Sequence, residues 1–160
     1  MRLTTLTTAL ATATLATARL SGFAAPATIA PESRFNLTLI AIPRVESTAE
    51  VAVSYGYSTN PGFPGTLGYN EQSMVLGPGS SNQPTNHTIL AKAPKRANLI
   101  PDRPEGPAEG EAMYLNLAIF SLVGVDAYPF IASYNVSVEF GAENSEELVG
   151  TTTPLLVPYS

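Results

Sequence analysis

A chain of 160 residues with a net charge of −5 and 13% charged side chains is of single-domain size, and its 44% apolar content is enough to bury a core. Eight Lys and Arg in an acidic chain disfavour nucleic acid and anionic membrane as partners. The absence of cysteine removes disulfides, thiolate metal sites and thiol nucleophiles, and the single histidine, His87, removes multi-histidine metal centres, so no cofactor or metal is expected.

Arg2 opens the chain and is followed by an uncharged run of Leu, Ala and Thr at residues 3–18, ending in Ala16-Thr17-Ala18. A short basic region, an apolar run and an A-x-A site form the layout of a secretory signal peptide. Cleavage is expected after Ala18, with Ala24 and Ala30 as alternatives, and the protein is expected to be secreted. The hydroxyl-rich stretch between Arg2 and Arg19, with no acid before Glu32, also fits a mitochondrial presequence, which is the alternative location. Residues 19–33, rich in Ala and Pro, read as a loose leader, and residues 34–160 as one domain.

Within that domain, residues 34–42 (RFNLTLIAI) alternate and predict a first strand. Residues 50–57 (EVAVSYGY) predict a second, with Val51, Val53, Tyr55 and Tyr57 on one face. The other face carries Ala52, Ser54 and Gly56, whose small size implies close packing by another segment. Residues 58–66 are dense in turn formers, and 68–76 read as a polar strand suited to a sheet edge. A loop at 77–86 leads to a short strand at 88–92. Residues 93–111 contain Pro94, Pro101, Pro104 and Pro107, which rule out a helix and leave a long structureless segment, mobile or functional.

Residues 113–140 form the strongest block: two strands around a turn at Gly124-Val125-Asp126-Ala127. Met113, Leu115, Leu117 and Ile119 share one face with Tyr134, Val136, Val138 and Phe140, leaving Asn116, Asn135, Ser137 and Glu139 as a polar outer stripe. Asn116, Asp126, Pro129 and Asn135 interrupt any apolar run long enough to span a membrane. An acidic turn at 141–147 precedes a last short strand at 151–157, where Pro154 favours an edge. The sum is about six or seven strands and an all-β chain, an antiparallel β-sandwich, with a small β-barrel as the alternative.

No catalytic motif emerges. His87 would need a serine nucleophile and an orienting acid to act, and Gly77-Pro78-Gly79-Ser80-Ser81 lacks the spacing of a nucleophile elbow or a phosphate loop. Asp126, Glu139, Glu143, Glu146 and Glu147 fall in turns or on polar strand faces, where solvated acids are the ordinary case. A carboxylate-dependent hydrolase is therefore the least favoured reading. Glu143-Asn144-Ser145-Glu146-Glu147 offers oxygen ligands without calcium-loop spacing. Tyr55 and Tyr57 could stack on sugar rings as a carbohydrate-binding module, although aromatic residues on strands commonly fill cores. Asn36, Asn86 and Asn135 head Asn-x-Ser/Thr glycosylation sequons, and Lys95-Arg96 is a dibasic pair of the kind processing proteases cut. The expectation is a secreted, glycosylated, non-enzymatic β-sandwich that is effector-like and acts at the cell surface, in the wall, or on an extracellular protein or polysaccharide.

Overall fold

The computed structural model describes residues 17–60 and 65–155. The apolar run of the signal segment, apart from its last two residues, lies outside them. The described chain is all-β, with two sheets packed face to face and no α-helix. It has nine strands: β1 (Thr17–Pro26), β2 (Thr28–Ile29), β3 (Arg34–Arg44), β4 (Thr48–Ser58), β5 (Tyr69–Val75), β6 (His87–Lys92), β7 (Ala112–Val123), β8 (Tyr128–Phe140) and β9 (Leu148–Thr151). The first sheet runs β6-β3-β1-β9 and the second β2-β8-β7-β4-β5. Only the two-residue β2 is parallel to its neighbour, β8.

The expected leader is corrected. Thr17–Pro26 is a strand between β3 and β9, with Leu20, Phe23 and Ala25 in the core. Its alternation is hidden in the sequence by a bulge: register slips between Leu20 and Phe23, so two inward residues stand three apart instead of two. Gly22 makes the bulge possible. Its φ is 153°, and a Cβ there would come within 2.2 Å of the Thr151 carbonyl oxygen on β9. Beyond β1 the chain crosses to the second sheet, where Ile29 is fully buried.

The block at 113–140 folds as the expected hairpin, with one exception at Asn116. β7 and β8 pair continuously from Ala112↔Glu139 to Val123↔Tyr128 around the 124–127 turn. Their inward side chains meet Phe23, Phe35, Leu37 and Leu39 from the first sheet, together with Val53, Tyr55 and Tyr57 of β4. Each fully buried side chain of this size contributes about 1.5–3 kcal/mol relative to exposure, and this seam holds the sandwich together. β5 and β6 are edge strands, as expected for the polar stretch at 68–76.

Two further expectations change. The last strand among the described residues is β9 at Leu148–Thr151, ahead of the expected 151–157, of which 156–157 lie outside the described residues; past β9 the chain leaves β1 and bridges to the second sheet at Ser133↔Leu155. Asn116 does not belong to a solvated stripe. It is 2% exposed beneath the segment preceding β5, and its Nδ2 donates to Ser58 Oγ at 2.9 Å and to the Leu67 carbonyl at 3.2 Å. The same segment explains the small face of β4, because a Cβ on Gly56 would lie 2.7 Å from the Leu67 oxygen.

An interior β1 bears on secretion. Processing after Ala24 or Ala30 would remove Leu20 and Phe23 from the core, whereas processing after Ala18 removes only the two outermost pairs, Thr17↔Arg44 and Ala18↔Pro43. The intact mass of protein recovered from culture medium should correspond to a chain beginning at Arg19. A product beginning at Ala25 or Pro31 would show that β1 is dispensable.

Candidate functional site

Tyr55 and Tyr57 project from β4 into the space between the sheets, at 1% and 0% exposure. Tyr57 packs edge-on against Phe140, with ring centroids 5.5 Å apart. Neither ring is accessible for stacking on a sugar, so the carbohydrate platform read from their spacing is not formed in this fold. Their hydroxyls have different fates. The Tyr55 hydroxyl accepts the Lys92 N–H at 3.0 Å and lies 3.0 Å from Gln72 Oε1, to which it donates. Gln72 Nε2 in turn donates to the Lys92 carbonyl at 3.0 Å. One phenol and one amide thus tie the second sheet to the end of β6 in the first. Burial pushes the Tyr55 phenol up, with the Lys92 backbone hydrogen bond opposing. Burial pushes Tyr57 up further, and its hydroxyl has no hydrogen-bond partner.

A second inter-sheet tie comes from a residue that strand alternation assigns to the outer face. The β4–β7 register slips between Glu50 and Ala52, which turns Glu50 inward at 2% exposure. Its Oε1 accepts the Leu20 N–H of β1 at 2.9 Å and its Oε2 accepts the Ser121 hydroxyl of β7 at 2.5 Å. The only signal in the sequence is an acid at the head of an apolar strand, which ordinarily marks a solvated strand end.

His87 opens β6, and its Nε2 lies 3.2 Å from Ser80 Oγ. This Ser–His contact does not make a nucleophilic site. Ser80 is 3% exposed, its hydroxyl also donates to the Leu76 carbonyl at 3.2 Å, and no acid is hydrogen-bonded to the imidazole among the described residues. The acidic turn is likewise occupied. Asn144 Oδ1 accepts the Ala30 N–H at 2.8 Å, its Nδ2 donates to the Arg34 carbonyl at 3.0 Å, and Ser145 Oγ accepts the Thr28 N–H at 3.0 Å. The turn therefore splints the crossover between β1 and β3. No group of three metal-ligating side chains occurs among the described residues.

The proline-rich segment 93–111 is ordered, in contrast to the structureless loop expected. Leu99 is fully buried in the core, and 3-10 and β-turn hydrogen bonds run from Leu99 N–H to the Arg96 carbonyl and from Gly106 N–H to the Arg103 carbonyl. Arg103 holds Glu111 in a charge-assisted pair at 2.6 Å. The dibasic pair lies in a turn. Lys95 is exposed opposite Glu32 at 3.9 Å, while Arg96 donates to the Phe140 carbonyl at 3.2 Å and its own carbonyl is covered by Gly106. Cutting after Arg96 requires that turn to unwind. Among the sequon asparagines, Asn36 and Asn86 are exposed and Asn135 is half-buried. Asn86 Oδ1 accepts the Ala41 N–H at 3.0 Å, which leaves its Nδ2, the glycan-bearing atom, free of that bond.

What remains accessible is surface, and its least ordinary part is one end of the sandwich. The β3–β4 loop and the β7–β8 turn lie side by side, joined by a hydrogen bond from the Gly124 N–H to the Ser47 carbonyl at 2.9 Å. They present Val45 at 100% exposure, Val125 at 99% and, beside them, Tyr128 at 69%. Three apolar side chains displayed on two short, mutually braced loops form a candidate contact surface.

Taken together, these features define a cysteine-free β-sandwich in which the strand tyrosines, the Ser80–His87 pair and the acidic turn are tied into the fold itself. The Nis1 family model matches residues 16–139, and the chain belongs to the Nis1 family. It is similar to necrosis-inducing secreted protein 1 of Colletotrichum orbiculare, 32% identical over 148 residues that span 92% of this chain and 85% of that protein. The protein of the same name from Colletotrichum higginsianum is 29% identical over 138 residues, 86% of this chain and 88% of its own. The chain is thus a secreted protein that acts outside the cell. The family match opens just before β1, so it takes in the strand that the sequence alone left as leader.

Substitutions at the two tyrosines should separate their roles. Tyr57→Phe removes an unpaired buried hydroxyl and should leave stability unchanged or raised. Tyr55→Phe strands the Lys92 N–H and should cost about 1–3 kcal/mol in denaturant unfolding. Equal effects would contradict the assigned hydrogen bonding. A pH test follows from Arg103, whose hydrogen bond, with that of the Ala108 N–H, holds the Glu111 carboxyl below the ordinary carboxylate range. A depressed folded pKa means the contribution is complete above the unfolded pKa and is lost as pH falls through the folded one. Protection factors of the non-proline amides in residues 103–111, that is, exchange rates corrected for the intrinsic pH dependence, should be lower in acid below that range than at neutral pH, and Glu111→Gln should flatten the difference.

Proposed function

We propose that this chain is a necrosis-inducing effector that works by binding an extracellular protein partner, without catalysis. The observation that carries the reading is its match along nearly the whole chain to relatives named for necrosis induction. The placement of the candidate residues supports binding over chemistry: both strand tyrosines are core residues and the Ser80–His87 contact lacks an acid. The apolar end formed by Val45, Val125 and Tyr128 is the surface proposed to meet the partner. Its loops are short and tied to each other, which lowers the ordering cost of association. Exposed apolar side chains at such a tip do not support the fold, so they can be changed without unfolding it.

Purified secreted protein infiltrated into leaf tissue should raise ion leakage and cell death. The double variant Val45→Asp, Val125→Asp should keep its unfolding midpoint and lose at least about tenfold in potency, the scale expected when hot-spot contacts are removed. Full potency in that variant would move the contact surface elsewhere. Absence of necrosis with the unaltered protein would reject the effector reading itself.

A further inference from the structure

A cavity of about 160 Å³ lies between the sheets where β9 ends and the chain leaves β1 for β8. Its walls include Arg19 and Ser21 of β1, Arg44 at the end of β3, Phe130 and Tyr134 of β8, and Thr152 past β9. Its size equals roughly five water molecules at liquid density, enough for a carboxyl group with a short apolar stem.

The charged side chains that line this cavity are all of one sign. Arg19 and Arg44 line it, no carboxylate does, and neither arginine has an ion-pair partner among the described residues. Glu50, whose charge is felt at the Tyr134 hydroxyl together with those of the two arginines, lies outside the lining, and its two oxygens accept the Leu20 N–H and the Ser121 hydroxyl. The Arg19 guanidinium is fixed in place by stacking on Phe130, 3.8 Å from the ring centroid. Its Nε is shielded from solvent and donates to nothing, an arrangement that costs free energy unless an acceptor arrives. Tyr134, only 3% exposed, adds a hydroxyl within reach of Ser21.

We infer that the cavity is a binding site for a carboxylate, gripped by Arg19 and Arg44 with the Tyr134 and Ser21 hydroxyls beside them. A guanidinium fork matches the two oxygens of a carboxylate in its own plane, and the Phe130 ring, with Ile42 and Pro154, offers an apolar wall to the stem. A tetrahedral inorganic anion would leave that wall unused. The inference does not depend on the necrosis reading, although the cavity opens at the end of the sandwich that carries Val45 and Tyr128.

The test is titration of the isotopically labelled mature protein, followed by amide NMR, with benzoate and with a short peptide bearing a free C-terminal carboxylate. The amidated peptide and inorganic sulfate serve as controls. Saturable shifts confined to residues 20–22, 130–134 and 152 are expected for benzoate, the acid peptide or both, and the preferred one identifies a free acid or a protein chain as the source. Arg44→Gln, at an exposed position, should weaken binding at least about tenfold, as expected for loss of a charge-assisted pair, while Arg34→Gln outside the cavity should not. Tyr134→Phe should weaken it by about threefold through one lost hydrogen bond. The absence of saturable shifts, equal binding of sulfate or of the amidated peptide, or unchanged affinity in Arg44→Gln would overturn the assignment.

Discussion

The apolar face that β4, β7 and β8 turn toward β1 and β3 must be kept from water, and without cysteine no covalent bond can keep the two sheets together. Burial of Leu, Phe, Tyr and Ile side chains supplies the attraction, but apolar contact alone is non-directional and does not fix how one sheet sits on the other. Two polar ties supply that register. Glu50 fastens β1 to β4 and β7 from within, and Tyr55 with Gln72 fastens the far edge through the Lys92 backbone. Both are buried or partly buried, so each hydrogen bond is shielded from competing water and costly to leave unmade.

The same economy accounts for the chain's lack of visible chemistry. Side chains that would be candidates for a site elsewhere, such as Ser80 and His87, Asn144 and Ser145, or Arg103 and Glu111, are spent on turns and crossovers. In a chain with only 13% charged residues, few remain for a partner. At one end of the sandwich Val45 and Val125 face solvent, and Arg19 and Arg44 line a cavity with no ion-pair partner among the described residues.

The parts legible in the sequence are those where period and burial agree. β7 and β8 could be read, Asn116 excepted, because their twelve pairs run without a slip. The small face of β4 correctly signalled a segment lying over it, since Gly56 admits no side chain beneath the Leu67 carbonyl. The parts that could not be read are those where a bulge breaks the period. At Ser21-Gly22 it disguised a central strand as leader, and at Val51 it reversed Glu50 from solvent to core. The segment 93–111 gave no period at all, because its order rests on turns and on the buried side chains of Ala93 and Leu99.

By itself the sequence determined that the chain is all-β, that residues 113–140 form its central hairpin, and that its amino terminus has the layout of a secretory signal. Alternation and turn chemistry are local, and a strand reports its own inward face wherever it pairs regularly. Only the tertiary structure decided that Tyr55 and Tyr57 are core and not surface, that Glu50 joins the sheets, and that Arg19 and Arg44 share a cavity. Those outcomes depend on which strand lies opposite which, and on where each bulge falls. These are long-range pairings that no local pattern encodes.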